Sequence, residues 1–496
     1  MGIHQHIARR RFLKHLGIGA VAVVAVGAGV GGYFLYRQNE ISATEGLDAP
    51  IVESKIGALE QINAAALSKE LESQTFVTSA GRGGWRVQIP GNRPLATPAV
   101  SDGLVFIGGG YGSHEFYAFD ANNGKVAWQL RTKDDGPTAA VVFDERVCFN
   151  TESCTLYVCR KRTGEIVWDK WLGDPLMNQP AVARVNGRAL IFMAYPGQGG
   201  HRLIALELEK GKTVWDQPID SDLISAPVIS NGSVYASAMS GIVYRFSALD
   251  GKLLEERKLN ATSAPWVDHG EIHVSNRQIV KDKNLPQESL TVYSPGREEE
   301  RQTGLNLEAK YLDAKSQGRL YQAFKDHDSS VGFGNAPSAA QLDKAKVNLG
   351  GQATTVIGGW SYQGARPVVA EGRIYNVLGD TFQSVDRISG KTRWAMKYAS
   401  GSGEDRAFAP PAVVGQKIYT GSLDGQFIAL RTKDGKIDWG VELGEPLLFQ
   451  PAIASGRVFI ATQNGKLYSF DAKDLKADGW LMWGGGPGHN GPTDSK

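Results

Sequence analysis

From Trp85 onward, apolar and polar residues alternate in short runs separated by glycine-containing turns. One stretch reads Thr97-Pro98-Ala99-Val100-Ser101-Asp102-Gly103, then Leu104-Val105-Phe106-Ile107. It continues through Phe116-Tyr117-Ala118-Phe119-Asp120 and Asn123-Gly124-Lys125 and ends at Trp128. Alternation at every second residue is the period of a half-buried strand. The Asp-Gly and Asn-Gly pairs supply the positive φ angles that tight hairpins demand. Pro98 fits the first residue of a strand, where no ladder donor is lost. The stretch therefore predicts four short antiparallel strands.

The same grammar returns at intervals of roughly forty residues. Thr163-Gly164 precedes Trp168, Gly211-Lys212 precedes Trp215, and Asp250-Gly251-Lys252 follows with Leu254 in place of the tryptophan. A fifth unit opens at Ser263-Ala264-Pro265-Trp266 and is interrupted. Gly390-Lys391 with Trp394, Asp434-Gly435-Lys436 with Trp439, and a last unit from Gln450-Pro451-Ala452 to Asp471 complete the series. About eight units result. Four short strands cannot bury their faces alone, and radial stacking on neighbours closes them into a propeller. The tryptophan after Gly-Lys is large and flat enough to cover the seam between adjacent sheets. Gly84-Trp85-Arg86-Val87-Gln88-Ile89 reads as a final strand with no unit before it, expected to clasp the blade holding Tyr468 and Asp471. Trp480 and Trp483 are expected over that seam or outside it.

These units resemble the pyrroloquinoline-quinone-like repeat family, whose last two strands follow Ala-x-Asp/Thr-Gly-Lys-x-x-Trp. The likeness runs from about Trp85 to Trp483 outside the interruption. It implies an all-β chain, an approximately eight-bladed β-propeller of four-stranded tryptophan-docking blades. An N-terminal transmembrane or signal helix and a helical insertion are expected to be added to it.

The remaining segments set the organisation. Ile56, Leu59, Ile62, Ala66 and Leu67 recur at helical spacing, predicting a short amphipathic helix in a spacer over 41–80. Between 281 and 360 the repeat weakens: Leu290-Thr291-Val292-Tyr293 keeps a strand, while Leu305, Leu307, Tyr311, Leu312, Leu320, Tyr321 and Phe324 suit one or two helices. A further short helix is expected over 339–347, and the whole reads as a rim insertion suited to docking. The expected units are thus 1–40, a signal or anchor; 41–80, the spacer; 81–484, the propeller; and 485–496, a tail.

Arg9-Arg10-Arg11-Phe12-Leu13-Lys14 precedes residues 16–36, which carry no charge. That run is long enough to cross a bilayer, and basic residues before it keep the N-terminus cytoplasmic. The Arg-Arg-x-Phe-Leu-Lys order resembles a twin-arginine signal, although Ala8 stands where Ser or Thr is usual. The expectation is export as a folded protein to the periplasmic side of the inner membrane, with the helix retained as an anchor. Lys+Arg number 54 against 52 Asp+Glu, so no field favours nucleic acid.

Candidate chemistry follows from blade topology. Loops joining the second to the third strand, and the fourth strand to the next blade, share one face. His114, Glu115, Glu152 and His201 fall in such loops of the first three blades, and carboxylate with imidazole is ligand chemistry for a divalent metal. Asp134-Asp135, Asp174, Asp220 and Asp222 join them on that face, as does Gly403-Glu404-Asp405-Arg406. Alternatively these side chains cap loops and pair with Arg202 or Arg406. Cys148 and Cys154 lie on opposite arms of a hairpin, permitting a disulfide in an exported compartment; three buried thiols are the other reading.

The family resemblance implies two functional classes. In its quinoprotein dehydrogenases the quinone is sandwiched by a tryptophan and a ring of vicinal cysteines, beside a calcium held by Glu, Asn and Asp. This chain has no adjacent cysteines, so the quinone is not expected and the cofactor left open is a divalent metal. Other relatives use the repeat for binding alone. The expectation is a membrane-tethered periplasmic scaffold for a cell-envelope protein, with a quinone- or metal-dependent oxidoreductase as the alternative.

Overall fold

Backbone chemistry at the turns shapes each repeat. In the first blade, Asp102 and Gly103 take φ of 47° and 77°, the pair of positive angles that a two-residue hairpin needs. They join Ala99–Ser101 to Leu104–Gly108, followed by Glu115–Asp120 and Val126–Arg131 in antiparallel order. Asn231-Gly232, His269-Gly270 and Ser455-Gly456 repeat the same two positive angles in later blades. The computed structural model describes residues 51–54, 59–110, 112–173, 178–197, 199–280, 285–308, 367–378, 381–398, 408–422 and 424–491.

Eight four-stranded blades are formed by these residues, spanning 99–131, 141–171, 181–218, 228–258, 266–308, 368–398, 412–442 and 452–471 completed by 83–88. The innermost strand of the eighth blade, Ala452–Ala454, lies against that of the first, Ala99–Ser101, which closes the ring. Closure also pairs segments far apart in the chain: Gly83–Gln88 runs antiparallel to Lys466–Asp471, setting Trp85 opposite Ser469. The expected clasp between chain ends is therefore present.

Tryptophan docking holds most seams. A Cβ added at Gly124 would come within 2.5 Å of the Trp85 ring, so the glycine that turns the hairpin also lets the next blade approach the indole. The same contact joins Trp128 to Gly164, Trp168 to Gly211, Trp215 to Gly251 and Trp394 to Gly435. Each indole N–H donates to a carbonyl of the following blade: Trp85 to Ala121 at 2.9 Å, Trp128 to Lys161 at 3.0 Å and Trp215 to Ala248 at 3.0 Å. Burial and a satisfied polar tip together suit tryptophan to this place.

Three seams depart from the rule. In blade 4 the docking position is Glu255, paired opposite Arg245 as Trp128 is opposite Ala118. The expected substitute, Leu254, is one residue early and points outward, exposed. Glu255 instead meets Arg257 at 2.8 Å, whose guanidinium lies 4.3 Å from the Tyr293 ring of blade 5. Between blades 5 and 6, Thr303 stands under Gly390, and the seam is tied by Asp268 and Glu271 of blade 5 to Arg387 at 3.4 and 2.9 Å. His273 is fully buried on the face of blade 5 that also carries Ser275, which meets Asn376 of blade 6 at 3.4 Å. The third departure, between blades 7 and 8, involves Arg82.

The N-terminal spacer corrects the helical expectation. Ile51–Ser54 runs parallel to the outermost strand of blade 6, Thr392–Tyr398. Glu60–Asn63 runs parallel to the outermost strand of blade 7, Ile437–Glu442, and turns back through Gln74–Thr78 to Gly83–Gln88. The free backbone groups of two sheet edges thus outweigh a weak helical period. Blades 7 and 8 are joined by this hairpin into one continuous sheet.

Blade strands extend further into this region than expected. Leu285–Tyr293 and Glu300–Glu308 are the third and fourth strands of blade 5, so Leu305 and Leu307 lie on a strand and not on a helix. The helices expected after them, and the segment 339–347, fall outside the described residues, as do residues 1–50. No helix among the described residues is long and apolar enough to cross a membrane.

The C-terminal tail differs most from expectation. Trp480 and Trp483 do not cover the clasp; both are buried in the core, Trp480 stacked on Trp266 of blade 5 with ring centroids 5.9 Å apart. Residues 479–491 run along the innermost strands of the ring. Mixed apolar clusters explain the placement: Trp480 joins the core of blades 5 to 8, Met482 that of blades 1 to 4.

Candidate interaction face

Three loops interlock where the metal site was expected. Gly109 donates to Glu115 O at 2.7 Å, closing the loop between the second and third strands of blade 1. Ser113 Oγ donates to Glu115 Oε2 at 2.7 Å. The His114 carbonyl accepts from Thr132 N and Oγ1 at 2.7 and 2.9 Å, so His114 sits at the root of the loop leading to blade 2. In that loop Gly136 donates to Ser113 O at 2.8 Å.

Glu152 completes the interlock from blade 2. Its backbone N–H donates to Asp135 O at 2.9 Å, and its Oε1 accepts from Gly112 N at 3.0 Å. A side chain on Gly136 would come within 2.2 Å of that carboxylate oxygen. Asp134 Oδ2 accepts from Thr151 Oγ1 and, at 3.2 Å, from Ser153 N. Burial, and then Asp134, raise the Asp135 carboxyl above its usual range, while His114 acts against them. These side chains are committed to loop structure through charge-assisted hydrogen bonds.

His201 is placed differently. It pairs opposite Pro196 in the extended hairpin of Arg188–Gly197 and Gly200–Glu207 in blade 3. Its carbonyl accepts from Ile219 at 2.9 Å. Arg202 turns to Asp216 at 2.6 Å, and Tyr195 Oη donates to the same carboxylate at 2.5 Å. Glu115 and Glu152 thus meet in one loop cluster with His114, and His201 belongs to another hairpin. Among the described residues no three His, Cys, Asp or Glu side chains are grouped to hold a metal ion. Arg406 and Asp174 lie outside them.

The cysteines form no disulfide. Cys148, Cys154 and Cys159 are free and buried, and burial pushes the Cys159 thiol up to about 12. They pack as small apolar side chains in the core of the first four blades. The vicinal pair that would cap a quinone is absent from the sequence.

Two further features of this face come from its loops and strand ends. A polar string runs from Asn150 Nδ2 to Asn178 O at 3.0 Å, and from Asn178 Nδ2 to Asp222 Oδ1 at 2.7 Å, linking blades 2, 3 and 4. Burial pushes the Asp222 carboxyl up to about 7, against the Asn178 and Leu223 donors. Trp171 ends the outermost strand of blade 2 on the loop side and is 66% exposed. It lies three residues beyond the docking position of its strand, Trp168.

The family described as outer membrane protein assembly factor BamB matches residues 75–287 and 378–480. The chain belongs to that family. The stretch left unmatched, 288–377, covers the outer half of blade 5 and the opening of blade 6, where the docking tryptophan is also missing. The outer membrane protein assembly factor BamB of Yersinia pestis is 28% identical over 184 residues, 34% of this chain and 46% of its own length. The quinoprotein ethanol dehydrogenase of Pseudomonas aeruginosa is 24% identical over 138 residues, 24% of this chain and 22% of its own. The chain thus spans about half or less of these relatives. In fold it is similar to Saccharomyces cerevisiae Sqt1, at 8% identity and a TM-score of 0.53, over 77% of this chain and 96% of that one.

Proposed function

We propose that the chain is a non-catalytic scaffold of the cell envelope, tethered to the periplasmic side of the inner membrane by residues 16–36. Its loop face would be presented to an envelope protein. The observation carrying this reading is the interlocked loop face of blades 1 and 2 with Trp171 standing out beside it. A rigid platform with one exposed aromatic anchor is the usual make-up of a protein-binding hot spot. Membership in a family named for outer membrane protein assembly supports the same reading.

A photo-crosslinking residue at position 171, compared with one at position 475, tests it. Leu475 is 93% exposed and lies beside the Gly456 turn, on the opposite side of the blades. The expected result is a discrete envelope-protein adduct from position 171 and none from position 475. Equal adducts from both positions, or quinone-dependent dye reduction by the purified protein, would overturn the proposal and favour the oxidoreductase alternative.

A further inference from the structure

An innermost propeller strand has one edge turned to the axis, with backbone groups that the blade itself cannot pair. In this chain the tail pairs them. Ile453 of blade 8 exchanges hydrogen bonds with Trp480 at 2.6 and 3.1 Å. Val100 of blade 1 donates to Leu481 O at 2.7 Å, Val182 of blade 3 to Pro487 O at 2.9 Å and Ile229 of blade 4 to Gly488 O at 2.9 Å. Val267 of blade 5 donates to Asn490 Oδ1 at 2.8 Å and accepts from Asn490 Nδ2 at 2.9 Å. Successive tail residues thus visit blades 8, 1, 3, 4 and 5 in the order of the ring.

Side chains supply selectivity to this backbone pairing. Trp480 stacks parallel to Trp266, at an interplanar angle of 6°. Trp483 packs with Ala226 and Ala264, two small residues just before the innermost strands of blades 4 and 5. Gln450 accepts from Gly484 N at 2.9 Å through its side-chain oxygen. Glycines make the path possible: Gly484 and Gly485 take φ of 71° and 88°, and a Cβ on Gly488 would press to 3.3 Å from Ile229 O. The tail is joined to blade 8 by exposed residues 473–476, and the family match stops at residue 480, before most of it.

We infer that the axis of this propeller is a peptide-binding site, selective for a glycine-rich, turn-forming segment with two tryptophans three residues apart, and filled in this chain by its own residues 479–491. Single hydrogen bonds to successive innermost strands supply affinity, and the two indole pockets supply specificity. The site takes its ligand in cis, so effective concentration keeps it loaded.

Cutting the tether after folding tests this. A protease recognition sequence inserted between Leu475 and Lys476 of the full chain is cleaved, and gel filtration follows the released segment. The segment is expected to stay with the propeller, and Trp480→Ala or Trp483→Ala to speed its loss by about tenfold or more, the usual weight of a buried aromatic anchor. Prompt loss of the unsubstituted segment, or retention indifferent to both substitutions, would overturn the inference. Should the cleaved protein aggregate, uncut chains serve. A dye-labelled synthetic peptide of residues 479–491 should bind Trp483→Ala protein, measured by fluorescence anisotropy, and bind wild type far more weakly. Equal uptake by both, or uptake by neither, also overturns it.

Discussion

The guanidinium of Arg82 lies 3.7 Å from the centroid of the Trp439 ring, where every other docked indole in the propeller meets a hairpin glycine. Blade 8 has no glycine at that turn; it reads Asp471-Ala472-Lys473-Asp474. Arg82 comes instead from the N-terminal hairpin, donating to Asp471 O at 2.6 Å and meeting Glu60 at 3.3 Å. A cation over the ring face is favourable when desolvated, and here it ties blade 7, blade 8 and the spacer at one point.

Arg82→Ala is therefore expected to cost about 3–5 kcal/mol, the range for removing one partner of a buried charge pair. Urea denaturation of the exported domain reads the loss. A change within about 0.5 kcal/mol, typical of surface sites, would show that the spacer merely rests on the blades.

The docking tryptophans should separate cleanly from the exposed one. Trp128→Ala and Trp215→Ala are each expected to destabilise by about 3–5 kcal/mol, since both rings are buried against a neighbouring glycine. Trp171→Ala, at 66% exposure, should change stability by about 0.5 kcal/mol or less. Similar denaturation midpoints for all three variants would remove the seam argument.

His273 links the seam between blades 5 and 6 to pH. Neither ring nitrogen has a hydrogen-bond partner among the described residues, and burial, assisted by Arg387 and Arg301 against Asp268, lowers its pKa from 6.5 to about 3. Below pH 6.5 the unfolded chain binds a proton that the native chain refuses. Its contribution is thus complete above the unfolded value and is lost as pH falls from there towards the folded one, at up to about 1.4 kcal/mol per unit. His273→Leu should flatten the decline in melting temperature between pH 6.5 and 4 relative to wild type. Parallel pH profiles would mean that the imidazole is not held neutral.

Export is expected to depend on the identity of the arginines and not on their charge. Replacing Arg9, Arg10 and Arg11 together by Lys keeps the basic flank but removes the receptor-read pair. Fractionation should find the folded protein retained in the cytoplasm. Unaltered export would identify residues 16–36 as an ordinary signal-anchor.

Much of this architecture was legible because it is written locally. Hairpins such as Asp102-Gly103, the docking positions at Trp128 and Trp215, and the closing strand at Trp85 each depend on residues a few places apart or on a repeat seen many times. A single-residue offset, Leu254 against Glu255, shows the limit: register is settled by the ladder opposite Arg245 and not by apolar character. His114, Glu115 and Glu152 meet in one loop cluster, but the Glu115 carboxylate is taken by the Ser113 hydroxyl and that of Glu152 by the Gly112 N–H, loop partners that no side-chain pattern reveals.

By itself, then, the sequence determined the repeat, the number of blades and the closing strand, because periodicity and turn chemistry act over a few residues. Tertiary structure alone decided the fate of both ends. Glu60 became a strand because Val441, hundreds of residues away, offered an open edge. Trp480 and Trp483 entered the axis because strands from Val100 to Ile453 brought their unpaired N–H groups to one line. Such partners are scattered along the chain, and only closing the ring brings them together.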